Sequence, residues 1–260
     1  MTTEEAYWNG PAGERWAKYG QQIDQSFVAI TDAWLSAVAP RSTDRVLDVG
    51  CGCGTTTRLL RPRVASALGI DISSPMLGVA RNMGGDYLLA DAASHVFEPN
   101  FDLVTSRFGV MFFADPRAAF ANLRRAFAPA ARMVFACWRA VELNPWATVP
   151  LEAAGDLVPP SEPVHPTAPG PFAFAQAEHV RDVLRRAGYE GVTIDPCDTT
   201  MRLGATPDEA AAYTMKIGLL SRAAADLDDG VRSRIQERVA SALERRGTTL
   251  PAAIWLVAAR

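Results

Sequence analysis

From Val46 to Thr55 the chain reads Val-Leu-Asp-Val-Gly-Cys-Gly-Cys-Gly-Thr, an apolar run that turns through three alternating glycines. Glycine reaches positive φ without a Cβ clash and lets a ligand come close to the backbone. A helix starting at Thr55 would aim free N–H donors at whatever lies over this loop, and such donors favour an anion. Asp48 adds a carboxylate near the end of the run. A carboxylate beside bare amides suits a zwitterion such as the ammonium and carboxylate of an amino acid. The plainer alternative is that Asp48 only braces the loop. Thr55 stands where a GxGxxG dinucleotide loop needs its third glycine, and no Gly-Lys-Ser/Thr follows, so pyrophosphate and Walker-type nucleotide binding fit poorly.

Two more carboxylates end apolar runs further along. Asp71 follows Ala65 to Ile70, and Asp91 follows Tyr87 to Ala90. At the tip of the second strand of an open α/β sheet, a carboxylate accepts hydrogen bonds from ribose hydroxyls. At the third tip it can accept from the exocyclic amine of adenine. A ligand with an amino acid at one end, a ribose in the middle and adenine at the other is S-adenosylmethionine.

These residues need a sheet whose strand ends lie side by side, and the hydrophobic rhythm supplies one. Runs at Arg45 to Val49, Ala65 to Ile70, Tyr87 to Ala90, Phe101 to Thr105 and Arg132 to Trp138 alternate with helical stretches. That alternation predicts βαβ units and a doubly wound, mainly parallel sheet covered on both faces. Helix signals lie between the runs. Thr55 to Leu60 starts a helix that Pro62 stops, Ser74 caps the next with Pro75 at its first position, and Asp115-Pro116 repeats that signal. Ile23, Phe27, Ile30, Trp34 and Val38 form one helical stripe that Pro40 ends. Residues 155–171 are proline-rich (Pro159, Pro160, Pro163, Pro166, Pro169 and Pro171) and predict a long irregular loop. Thr206 and Glu209 make a capping box, and Val231, Ile235, Val239 and Leu243 line a late helix. A sixth strand begins at Val192, and Ala252 to Ala258 is the last.

The run from Val46 to about Pro145 resembles class I S-adenosylmethionine-dependent methyltransferases, of the bacterial small-molecule type that includes ubiquinone and menaquinone methyltransferases. The stretches that carry the likeness are VLDVGCGCGTTTRLL, GIDISSPMLGVAR, LLADAAS and FDLVTSRFGVMFFADPRAAFANLRRAFAPAARMVFACW. Pro129-Ala130-Ala131 departs from the proline and two glycines usual before the fifth strand. Pro62 also shortens the first crossover helix.

The resemblance implies a seven-stranded sheet in the order 3-2-1-4-5-7-6, the last strand antiparallel. It implies one methyltransferase domain over 1–260. Within it, 1–40 would form a helical lid, 41–140 the cofactor-binding core, and 141–260 the rest of the sheet with a helical substrate cap near 204–250. Helices over 11–38 and about 206–246 would cap the carboxyl edge. Gly50, Cys51 and Gly52 would contact the methionine portion. Asp71 would hold the ribose, with Ile72 and Met76 flanking adenine and Asp91 and Ala92 reading it. Arg107 and Phe108 would lie beside the sulfonium. Trp8, Trp16, Phe112 and Trp138 are candidate substrate contacts, although a core role stays open for each. One of Phe112 and Phe113 should pack in the core. His165, in the proline-rich loop, is the one histidine worth weighing as a general base.

The reaction implied is methyl transfer from S-adenosylmethionine to O, N or C of a small, partly apolar metabolite, leaving S-adenosylhomocysteine. A nucleotide-linked oxidoreductase on a similar fold, or a protein that binds the cofactor without methylating, stays open. With 26 Lys plus Arg against 29 Asp plus Glu, the net charge is -3, which argues against nucleic-acid binding. Only Lys18 and Lys216 are lysines, and no Lys/Arg cluster is expected beside the pocket. Cys51, Cys53, Cys137 and Cys197 lack zinc spacing, so no metal is expected. The absence of a signal-like N-terminus or membrane-length apolar run points to the cytoplasm. A monomer and a homodimer are both open.

Overall fold

The structure, a computed structural model, describes residues 3–160 and 165–260. Its seven strands are β1 (Arg45–Val49), β2 (Ser66–Asp71), β3 (Asp86–Leu89), β4 (Phe101–Arg107), β5 (Phe127–Trp138), β6 (Thr193–Arg202) and β7 (Thr249–Ala259). They form one sheet in the order β3-β2-β1-β4-β5-β7-β6. The first five strands pair in parallel, and β7 runs antiparallel between β5 and β6. The expected topology is therefore the observed one. β1 is central and buried on both faces, which is why its sequence is a short apolar run rather than an alternation.

Three helices precede the sheet: α1 (Thr3–Asn9), α2 (Pro11–Ser26) and α3 (Val28–Val38). The single stripe from Ile23 to Val38 is thus broken at Phe27, whose φ of -96° and ψ of 10° leave the helical region. Ser26 turns its hydroxyl back to the carbonyl of Ile23 and meets the Tyr213 hydroxyl at 3.0 Å. The break separates two tasks. Ile30, Trp34 and Val38 are fully buried where α3 packs on β4, β5 and β6, whereas α2 runs over the carboxyl end of the sheet. Only α2 of this pair therefore caps the edge.

The crossover helices are α4 (Thr55–Leu60), α5 (Ser74–Asn82), α6 (Pro116–Arg124), α7 (Pro145–Ala154) and α8 (Ala177–Arg186). Ser73, not Ser74, caps α5: its hydroxyl accepts from the Met76 amide, and Pro75 sits within the first turn. Asp115 caps α6 as expected, accepting from the Ala118 amide at 3.0 Å. After β6 come α9 (Pro207–Thr214), α10 (Leu219–Ala223) and α11 (Asp229–Arg246). Thr206 and Glu209 form the capping box, with Glu209 reaching back to the Ala205 amide. The long helix α11 packs on α7 and α9. Residues 216–222, between and within α9 and α10, reach the sheet's carboxyl end instead.

Strand β5 is irregular at Pro129-Ala130-Ala131. Phe101 pairs with Phe127 but Leu103 with Arg132, so the chain loops out across Pro129, Ala130 and Ala131. Ala130 sits there at φ 62°, a left-handed conformation that crowds a Cβ. Ala130→Gly should stabilise the fold by about 0.5–1 kcal/mol, since relieved strain exceeds the extra freedom of an unfolded glycine. A urea midpoint below that of the wild type would contradict it.

Candidate active site

Loop geometry builds the site from the β1 end outward. Gly50, Gly52 and Gly54 all have positive φ, at 66°, 55° and 79°. The Gly50 and Cys51 amides donate to the carbonyl of Ile70, which ties the loop to β2. Asp71 completes the tie. One carboxylate oxygen accepts from the Gly52 amide at 2.7 Å and the other from the Ser73 amide at 2.8 Å. Burial pushes its carboxyl above the ordinary value, and the backbone hydrogen bonds work against that. Each oxygen keeps a lone pair for a ligand hydroxyl.

A cavity of about 330 Å³ opens over the strand ends, a size in the range that holds drug-sized ligands. Of the residues predicted for the site, Gly50, Gly52, Asp71, Ile72, Met76, Asp91, Ala92, Arg107, Phe108, Trp8, Trp16 and Phe112 line it. Asp91 accepts from the Ala93 amide with one oxygen at 2.9 Å, which orders the β3 loop. Both Phe112 and Phe113 reach the wall, so neither is purely core.

Two smaller cavities flank the first. One, of about 70 Å³, lies between α2 and the glycine loop and holds Cys51, Asp24 and Arg107. The other, of about 90 Å³, is walled by Phe27, Met111, Trp138 and Trp146. Trp16 and Phe108 line all three cavities and so mark their junction. Phe108 holds a left-handed backbone, φ 72°, and stacks on Trp138 with centroids 4.2 Å apart. Strained backbone of this kind gathers at ligand sites.

Two predicted positions fall elsewhere. Asp48 is wholly buried and lines none of these cavities; it accepts from the Thr56 and Thr57 hydroxyls at 2.6 and 2.7 Å. It braces α4 against β1 rather than the glycine loop. His165 is exposed, with Nδ1 turned to Thr167, and lines none of the three cavities. Pro163 lies outside the described residues, while Pro171 reaches the third cavity. Cys51 is buried in the wall of the 70 Å³ cavity, and desolvation pushes its thiol up. Among the described residues no group of three or more His, Cys, Asp or Glu side chains could hold a metal. No described helix is long and apolar enough to cross a membrane.

Asp48 gives the fold a pH signature. Burial, ahead of the opposing threonine hydrogen bonds, pushes its carboxyl up to about 6. An unfolded aspartate titrates near ~3.9. Between those values the native chain holds more protons than the unfolded one, so stability declines as pH rises through the window. Relative to Asp48→Asn, the wild type should lose on the order of 2 kcal/mol between pH 4 and 7, read by urea unfolding at each pH. Parallel pH curves for the two proteins would show that Asp48 stays charged in the fold.

Sequence reasoning missed the residues that meet across long chain separations. Arg107 forms an ion pair with Asp24 at 2.7 Å and donates to Thr31 at 2.5 Å. Thr55 donates to the other Asp24 oxygen at 2.5 Å. Asp24 sits on α2 and had no local signal beyond helical spacing. Hydrogen bonds tie α1 to the residues that follow β2. The Trp8 carbonyl accepts from Ser73 at 2.7 Å, and Asn9 bridges Ile72 and Ser74. The expected lack of Lys/Arg near the pocket is corrected: Arg15, Lys216 and Arg222 line the 90 Å³ cavity. They come from α2 and the α9–α10 region, so no run in the sequence reveals them.

Comparison with known proteins agrees with this geometry. Residues 47–135 match the family described as methyltransferase domain. A demethylmenaquinone methyltransferase of Clavibacter sepedonicus is 36% identical over 104 residues, 38% of this chain and 42% of that protein. A malonyl-[acyl-carrier protein] O-methyltransferase of Salmonella typhimurium is 38% identical over 108 residues, 40% of this chain and 43% of its own length. The chain thus spans under half the length of these curated relatives. Among solved structures, Haemonchus contortus phosphoethanolamine N-methyltransferase 2 in complex with S-adenosyl-L-methionine superposes with a TM-score of 0.62. It is 16% identical, and the match covers 100% of this chain and 60% of that one. Residues 47–135 thus carry a methyltransferase domain, and the sheet order is that of the Rossmann-like methyltransferase fold.

Proposed function

We propose that the protein transfers the methyl group of S-adenosylmethionine to a small, partly apolar acceptor held in the 90 Å³ cavity. The observation that carries this is the junction. A long cavity lined by Asp71 and Asp91 shares Trp8, Trp16, Phe108 and Phe112 with a second chamber of aromatic walls. When bound, the cofactor supplies an already activated methyl on a sulfonium.

The chain's part is then to bind, orient and exclude water. Asp71 accepts from the ribose hydroxyls and Asp91 from the adenine amine. Asp24 and Arg107, of opposite charge and 2.7 Å apart, face the 70 Å³ cavity and suit the ammonium and carboxylate of the methionine end. Trp8, Trp16 and Phe108 present aromatic surface, which favours a sulfonium cation. Among the described residues lining the acceptor chamber, the titratable side chains are Tyr7, Arg15, Lys216 and Arg222, so this reading assigns no general base. Dinucleotide binding is disfavoured by Asp24, whose carboxylate sits at the start of α4 where a pyrophosphate would need bare amides.

Calorimetry with S-adenosylhomocysteine, followed by radiolabel transfer to panels of phenols, quinones, hydroxy acids, tRNA and peptides, tests the reading. Binding with transfer to small acceptors is the expected result. Transfer only to polymers, or tight NAD(P) binding without S-adenosylhomocysteine affinity, would overturn it.

A further inference from the structure

We propose that the acceptor is an acid: an apolar or aromatic body carrying an anionic head group, which Arg15 and Lys216 hold at the far side of the acceptor chamber. This rests on the methyl-transfer reading above and narrows its substrate class. Three cations line the chamber, and no aspartate or glutamate does among the described residues. Arg15 and Lys216 are half-buried and have no ion-pair partner among the described residues. Lys216 lies over the Tyr19 ring, 5.1 Å from its centroid, with Lys18 5.5 Å from the same ring. Arg222 is more exposed, leans on Tyr7 at 5.5 Å and is partly offset by Glu4, so it adds to the field at the rim.

The one basic side chain lining the other two cavities among the described residues, Arg107, is paired with Asp24. Unpaired, partly desolvated cations on an aromatic wall are poorly solvated, and an incoming anion would complete them. Their placement also orients the acceptor. Arg15, Lys216 and Arg222 line the second chamber alone, whereas Trp8, Trp16, Phe108 and Phe112 line both it and the long cavity. The head group therefore serves as a handle, and the opposite end of the molecule faces the junction.

Binding can be read without turnover. Phenylacetate, phenylacetamide and phenyl phosphate are titrated into the full chain, with and without S-adenosylhomocysteine, by calorimetry. At least one of the two anions should bind about tenfold or more tightly than the amide, as charge-assisted hydrogen bonds require. The stronger of the two identifies the head group as carboxylate or phosphate. Arg15→Gln and Lys216→Met should each erase most of that preference and leave the amide unchanged, and Lys216→Arg should restore it. S-adenosylhomocysteine affinity reports that each variant is folded. An amide that binds as well as both anions, or a preference that survives both substitutions, overturns the proposal. Failure of the parent reading looks different, because S-adenosylhomocysteine itself would not bind.

Discussion

Asp71→Ala is expected to weaken S-adenosylmethionine and S-adenosylhomocysteine together, by roughly 10- to 100-fold, or ~1.5–3 kcal/mol. Two losses coincide. The carboxylate is the ribose acceptor in the proposed complex, and it also holds the Gly52 and Ser73 amides in place. Both losses act on parts that substrate and product share, so the two affinities should fall in parallel. Asp71→Asn keeps one acceptor oxygen but turns an NH2 toward the second amide, so its affinity should lie between wild type and alanine. Calorimetry on variants with native circular dichroism reads the effect. Unchanged affinity in the alanine variant would remove Asp71 from the cofactor site.

What could be read from the sequence and what could not divide along physical lines. The parallel strands were legible because a strand buried on both faces has to be a short apolar run, and Asp115 and Thr206 mark helix starts with local hydrogen bonds. The three glycines at positive φ were legible because few other residues reach that conformation. Asp48 was ambiguous for an equally local reason. Side chains alternate along a strand, and spacing alone does not say which side a charged residue takes. It points beneath α4, where two threonine hydroxyls receive it, whereas the loop one residue past Val49 makes the cavity wall.

Long-range partners left no trace in the chain. Asp24 and Arg107 pair across 83 residues of chain, close to the break at Phe27 where Ser26 meets Tyr213. Helical periodicity runs straight through that break, because Phe27 still belongs to the apolar stripe. Arg15, Lys216 and Arg222 are each unremarkable in sequence, since net charge averages over the surface and says nothing of where three cations converge. Their convergence also changes how the chain's acidity bears on its ligand. A net charge of -3 argues against a polyanion, yet the chamber itself is locally positive.

Gly109→Ala should destabilise the fold by about 3 kcal/mol or slightly more, and lower Tm by roughly 6–12 °C for a chain of this size. A Cβ at Gly109 would stand 2.7 Å from the Gly50 Cα and 2.8 Å from the Val49 carbonyl oxygen. A Cβ at Gly50 would meet the Gly109 Cα at the same 2.7 Å. No side chain can swing aside, because both obstacles are backbone. Relief requires the β1 loop and the turn after β4 to separate, and both Gly50 and Gly109 line the long cavity. The variant should therefore lose cofactor affinity beyond what its lower stability explains, and S-adenosylhomocysteine should raise its Tm less than it raises that of the wild type. Gly78→Ala is the control. That glycine lies exposed within α5 with nothing inside 4 Å of an added Cβ, so the same substitution should stabilise by about 0.5–1 kcal/mol. Opposite signs for the two substitutions are the expected result. A Gly109→Ala protein with wild-type Tm and undiminished stabilisation by S-adenosylhomocysteine would mean that the two backbones are free to part, and that this contact does not shape the cofactor cavity.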